Sequence, residues 1–243
     1  MSSSAGEPIL KQQYQIQERY NRTAPSRSSR TYCSLTILLE KLRSILESDS
    51  LGAGGQVLDY GCGNMPYKEL FETKFNAYIA ADLPGNPGAD VHIDSLGLLP
   101  SASESFDCVL SSQVLEHVVD PKGYLAEAWR VLKPEGRLIL STHGIWPYHP
   151  DPNDYWRWTC EGLRREIEMA GFRVIKMHSV FGPGSTALQL WQDATFERLP
   201  KFLQSLYTRI FQTVIGIIEG RHKDKFSNDA SIYVVLAHKT IPV

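Results

Sequence analysis

Several features that would declare a function at once are missing from this chain. Its four cysteines, Cys33, Cys62, Cys108 and Cys160, form no CxxC pair. A disulfide framework is therefore not indicated, and reduced thiols in buried or loop positions are expected. A formal charge of −2 over 243 residues offers no basic field for nucleic acid. No apolar run is long enough to span a bilayer, so no stable membrane insertion is expected. The opening Met1-Ser2-Ser3-Ser4-Ala5-Gly6 carries neither the basic start nor the apolar stretch of a secretory signal. A cytoplasmic protein is the expectation. No G-x-x-x-x-G-K-[ST] phosphate loop occurs.

What is present reads as one sizeable α/β domain. Hydrophobic residues make up 42% and charged residues 21%, which are globular values. Short apolar runs at 56–60, 78–81, 90–93, 106–111, 137–141, 172–177 and 232–238 predict seven strands. Helical spacing separates them: Leu35, Leu38, Leu39, Leu42, Ile45 and Leu46 after an N-cap at Ser34, then residues 66–75, then Leu125, Ala128, Trp129 and Leu132 after Asp120-Pro121, then Leu163, Ile167 and Ala170 after Thr159. Strands alternating with helices predict a mostly parallel, Rossmann-like sheet covered on both faces. Ligands bind such sheets beyond the carboxyl ends of the strands.

The stretch Val57-Leu58-Asp59-Tyr60-Gly61-Cys62-Gly63-Asn64-Met65-Pro66-Tyr67 reads as strand, tight turn and helix start. Its glycines permit positive φ and close approach of a ligand to backbone. The following helix would offer free N–H groups to a carboxylate or phosphate. Asp82 ends the second strand about twenty residues later, where a carboxylate can accept both hydroxyls of a ribose. Asp94, after the third strand, can accept from an adenine amine, with the Ser95 N–H beside it. A dinucleotide fingerprint requires a third glycine in G-x-G-x-x-G. Its absence here disfavours a pyrophosphate, and with it a nicotinamide oxidoreductase.

In order and spacing, Val57–Tyr67, Asp82, Asp94, Ser105-Phe106-Asp107, Gln113-Val114-Leu115-Glu116-His117-Val118, Arg130–Gly136 and Leu138–Ser141 resemble the class I S-adenosylmethionine (SAM)-dependent methyltransferases. The resemblance covers roughly residues 55–177, with the last strand added. It implies a SAM site. Asp59, Gly61, Cys62 and Gly63 would line the methionine moiety, Asp82 and Leu83 the ribose and adenine, and Asp94 and Ser95 the adenine edge. Ser111, Ser112 and Gln113 would flank the sulfonium. The sequence departs from the pattern at Asn64-Met65, where many members carry another glycine. Related enzymes fold a segment before the core over the cofactor. Residues 1–33 are thus a candidate lid through Tyr14, Tyr20 or Arg22, or else a solvated tail, ahead of a methyltransferase domain over 34–243.

The fifth strand runs into His143-Gly144-Ile145-Trp146-Pro147-Tyr148-His149-Pro150-Asp151-Pro152-Asn153-Asp154-Tyr155-Trp156-Arg157-Trp158-Thr159. A long proline-stiffened loop this rich in aromatics suits an acceptor site. It resembles a methyltransferase subgroup with an HP-x-P-x-DYWR-x-T stretch, associated with glycan or specialised small-molecule biosynthesis. His143, His149 and Asp154 are the candidate general bases, His149 first. Arg157 is a candidate partner for an anionic acceptor group. Glu116-His117 reads as a contact near the methyl group or a proton acceptor, or else as a helix-start pair bonding to neighbouring backbone. His143, His149, Asp151 and Asp154 fit no standard metal spacing, and no metal is expected.

Residues 179–230 form a long helical insertion before the last strand. Leu199, Phe202, Leu203, Leu206, Tyr207, Ile210, Phe211, Val214, Ile217 and Ile218 make a helical stripe. Packing on the domain edge, a homodimer through 199–218, a pocket lid and contact with a membrane-bound substrate all remain open. Lys201, Arg209, Arg221, Lys223 and Lys225 lie nearby. The expected function is methyl transfer from SAM to a hydroxyl or amine of a small-molecule acceptor, a sugar or glycan among the candidates. The alternative is a non-catalytic SAM-binding or scaffold protein of the same fold.

Overall fold

The computed structural model describes residues 21–48, 51–94, 96–221 and 225–240. The expectations for Tyr14, Tyr20, Ser95 and Lys223 lie outside these residues. The elements run α1 (Tyr32–Leu46), β1 (Gln56–Tyr60), α2 (Lys68–Glu72), β2 (Ala77–Asp82), β3 (Val91–His92), β4 (Phe106–Ser112), a 3₁₀ turn (Leu115–His117), α3 (Pro121–Val131), β5 (Leu132–His143), α4 (Cys160–Met169), β6 (Phe172–Val180), α5 (Pro183–Phe196), α6 (Lys201–Arg221) and β7 (Ile232–Lys239). Seven strands form one sheet in the order β3-β2-β1-β4-β5-β7-β6, with β7 antiparallel to both neighbours.

Alternation along the strands builds two cores. Ile232, Val234 and Leu236 of β7 face the side covered by α1, with Leu38, Leu42 and Ile45. Tyr233, Val235 and Ala237 face the other side, with Leu125 and Ala128 of α3 and Leu163 and Ile167 of α4. Each such aliphatic side chain contributes about 1.5–3 kcal/mol of burial. Strand order reverses at β1, which pairs in parallel with both β2 and β4. The carboxyl ends of β1, β2, β4 and β5 therefore open on one crevice, where an open α/β sheet takes its ligand.

Two local readings need correction. The helix expected over 66–75 is only Lys68–Glu72. Met65 takes φ of 50° and donates its N–H to Cys62 O at 2.7 Å, so the turn continues through residues expected to be helical. So short a helix is no anion site. Ser34 lies inside α1 and donates to Thr31 O at 3.0 Å, and Thr31 is the N-cap. The stripe of the insertion, for which several roles were open, lies on α6, which turns Thr208, Gln212 and Ile215 inward while most of the stripe faces out. Polar residues can line that interface because they satisfy one another. Gln212 Nε2 donates to Arg30 O at 2.7 Å and to Gln189 and Gln192 Oε1 at 3.1 Å each, and Gln212 Oε1 accepts the Cys33 N–H at 2.8 Å.

Candidate active site

β1 delivers the glycine turn. Gly61 and Cys62 donate their N–H groups to Ala81 O at 2.9 Å each. Gly61 has φ of 84°, and a Cβ there would lie 2.7 Å from both Val114 methyls. Only glycine meets both demands. Asp82 closes the turn from β2. Its Oδ2 accepts Gly63 N–H at 2.9 Å and Asn86 Nδ2–H at 2.6 Å, while Oδ1 accepts Leu83 N–H at 2.8 Å. Asp59 is buried and accepts the Tyr78 hydroxyl. Burial raises its pKa to about 7, against that hydrogen bond and with repulsion from Asp82. Cys62 is buried, and its thiol is pushed up by burial. Of these side chains only Asp82 stands at the rim. Gly61 and Gly63 contribute backbone.

Asp94 is exposed, and its Oδ1 accepts the Leu96 and Leu98 N–H groups at 2.8 Å each. Leu83 and Leu96 leave apolar surface open beside it. At the end of β4, Ser111 and Ser112 separate. Ser111 is fully buried beneath Tyr124, whose hydroxyl lies 2.9 Å away, because strand alternation turns it to the other face. That placement is at odds with its expected position at the sulfonium. Ser112 Oγ lies 3.0 Å from Ser141 Oγ, which also accepts Gln113 Nε2–H at 3.1 Å.

The end of β5 gathers the imidazoles. His143 Nδ1 stands 3.1 Å from Glu116 Oε1, and neither atom has another hydrogen-bonding partner among the described residues. Thr142 Oγ1 donates to Glu116 Oε2 at 2.8 Å. Burial pushes Glu116 up and pushes His143 down to about 2, with Arg157, His149 and His117 adding to the latter. His143 stacks on Trp146 at 4.9 Å between ring centroids. His149 is 5.8 Å from the His143 ring and 5.6 Å from the His117 ring. Its pKa is lowered by burial and by His117, against Asp151 and Asp154.

Asp154 and Arg157 hold the loop shut. They form a bidentate pair at 2.6 Å for both contacts. Arg157 also donates to the carbonyls of Trp146, Pro147 and Trp156, and Asp154 accepts the His149 N–H at 2.7 Å. Arg157 is thus occupied within the loop, contrary to the reading that made it an anion partner. Hydrogen bonds from Arg157, helped by the His149 N–H and the guanidinium charge, hold Asp154 down at about 2, which makes that carboxylate a poor base. Among the described residues no group of three His, Cys, Asp or Glu side chains is placed to hold a metal ion.

Residues 58–140 match the family model described as a methyltransferase domain. The ubiquinone biosynthesis O-methyltransferase of a Ruegeria species is 36% identical over 110 residues, which are 40% of this chain and 44% of that protein. The chain spans less than half the length of that relative. The protein of the same description from Dinoroseobacter shibae is 36% identical over 169 residues, 57% of this chain and 68% of its own length. The chain belongs to the class I SAM-dependent methyltransferases. The fold agrees with phosphoethanolamine N-methyltransferase 2 of Haemonchus contortus, at TM-score 0.55 and 15% identity over 92% of this chain and 60% of that one.

This methyltransferase offers the adenosyl cofactor of its family a consistent set of groups. Asp82 lies at a strand end with a glycine turn under it, and open apolar surface adjoins Asp94. Across the crevice the Tyr67 hydroxyl is buried without a hydrogen-bond partner among the described residues. Burial raises its pKa, opposed by the Arg22 charge and by the nearby Ser112 hydroxyl. An orphaned buried hydroxyl at this point fits a polar ligand group that completes it. Tyr67 was not singled out as a site residue from sequence. Tyr67 follows the glycine turn directly, and that position was its one available signal. Glu116 was read with His117 as a contact near the methyl group, a proton acceptor or a helix-start pair, and its approach to His143 depends on how β5 ends.

Proposed function

We propose that this methyltransferase moves a methyl group from SAM to a hydroxyl of a ring-bearing small molecule. The observation that carries the reading is the cluster of His117, His143 and His149, backed by Glu116, beyond the carboxyl ends of β4 and β5. Bound SAM would supply an electrophilic methyl on a sulfonium. The Gly61–Gly63 backbone, Asp82 and Asp94 would hold its methionine, ribose and adenine. His149, neutral at pH 7, would take the hydroxyl proton as the acceptor oxygen forms its bond to carbon. The electron pair of the breaking C–S bond stays on sulfur. Glu116 would orient His143, which with Trp146 walls the pocket. Near-attack geometry supplies most of the acceleration. The exposed rings of Tyr148, Tyr155 and Trp156 suit the flat face of a sugar or an arene. The relatives described as O-methyltransferases support oxygen as the acceptor.

The test has two stages. Calorimetry should show binding of SAM and of its demethylated product, and absence of both overturns the reading. Labelled SAM is then offered with panels of phenols and of sugars. Label in one panel names the acceptor class. Binding without transfer to either panel favours the scaffold alternative.

A further inference from the structure

The helical pair before β7 is built inside out. Inward it presents Ser185, Thr186, Gln189 and Gln192 from α5 and Thr208 and Gln212 from α6, all buried. Outward it presents Trp191 (63% exposed), Phe202 (81%), Leu206 (58%), Ile210 (53%), Val214 (40%) and Ile217 (52%). On α6 these residues fall at successive helical turns, so they form one ridge along the helix. The glutamine network keeps the polar side inward, and the ridge is therefore a surface feature of the folded molecule. Contiguous apolar surface of this kind marks an interaction site.

We propose that this face docks the protein on an anionic lipid surface, with α6 lying in the plane of the interface. Charge selects this occupant. Lys201, Arg209 and Arg221 are exposed on α6. Its one acid, Glu219, is half-buried and accepts the Gly182 N–H at 3.2 Å. Exposed Glu197 lies past the end of α5 and is flanked by Arg198. An apolar ridge bordered by cations, with Trp191 beside it, is the chemistry of an interfacial helix. No helix among the described residues is long and apolar enough to cross a membrane, so the contact is peripheral. A second copy fits less well. Two-fold pairing along α6 would set Arg209, near the middle of the helix, against its own mate.

The full-length protein is sedimented with phosphatidylcholine vesicles, with and without phosphatidylglycerol. Binding is expected to the anionic vesicles and to weaken with salt. Lys201→Glu with Arg209→Glu should weaken it about thirtyfold or more, from about 1 kcal/mol per cation. Leu206→Ser with Ile210→Ser should abolish it. Circular dichroism and SAM calorimetry on the same variants report folding and the cofactor site separately, so failure here is distinct from failure of the proposed activity. No binding to anionic vesicles overturns the proposal. So does a dimer in light scattering that Leu206→Ser dissolves, because a second copy then covers the face.

Discussion

Met65 follows the glycine turn in the left-handed conformation that glycine adopts most easily, with φ of 50°. A left-handed residue costs about 1–2 kcal/mol. Burial of the methionine side chain, 7% exposed, offsets this. Met65→Ala keeps the strain and loses the burial, whereas Met65→Gly loses both. The alanine variant should thus be the less stable by about 1 kcal/mol in urea denaturation. Gly61→Ala meets strain and collision together and should cost more than about 2 kcal/mol and abolish SAM binding. Adding Val114→Ala should recover part of the stability, since the colliding methyls are gone. The lowered pKa of His149 sets the sign of a pH effect. A base with a depressed pKa stays neutral further into acid, so the acid limb of kcat should fall below pH 6.5. A limb above that value would exclude His149 as the base. Asp59, Gly61, Gly63 and Asp82 were readable from sequence because a short turn fixes where they stand. Ser111 was misplaced because one residue of strand register decides which face it takes.

At the scale of elements, the loop from Gly144 to Trp158 is held by few but concentrated contacts. Arg157 alone joins Asp154 and three carbonyls. Tyr155 and Trp156 donate their N–H groups to Glu116 O at 2.8 and 3.2 Å. Arg157→Ala should release the loop. Limited proteolysis within it should speed up severalfold, and the acceptor KM should rise more than kcat falls. Arg157→Lys should rescue only partly, because a point charge cannot span the same fork of acceptors. Strands were legible to within one to three residues at most ends, since burial on both faces leaves continuous apolar runs. The insertion was legible as helical and not as to its orientation. Helical spacing identifies a stripe, and whether the stripe meets core or solvent depends on what the neighbouring helix presents.

For the whole molecule, the fold buries all four thiols, Cys33, Cys62, Cys108 and Cys160, with no disulfide between them. Reductant should leave the melting temperature unchanged. A thiol reagent should label the native protein slowly and the urea-unfolded protein at once. Tertiary packing also couples the segment before α1 to the insertion, through Arg30. Its guanidinium lies 3.2 Å from Asp193 and over the Phe196 ring at 4.5 Å.

The amino-acid order alone determined the strand–helix alternation, the glycine turn and the acid at the end of β2. Each depends on neighbours close along the chain, and those properties are written in local spacing. The tertiary structure decided the partners of the candidate bases. Asp154 is neutralised as a base by Arg157, which lies three residues away, but the loop had to fold to join them. Glu116 reaches His143 only because β4 and β5 lie side by side in the sheet. It also decided that the imidazoles of His117, His143 and His149 gather beyond the ends of β4 and β5. Contacts between residues far apart in the chain carry no signature in its spacing, and those contacts set burial and charge in the site.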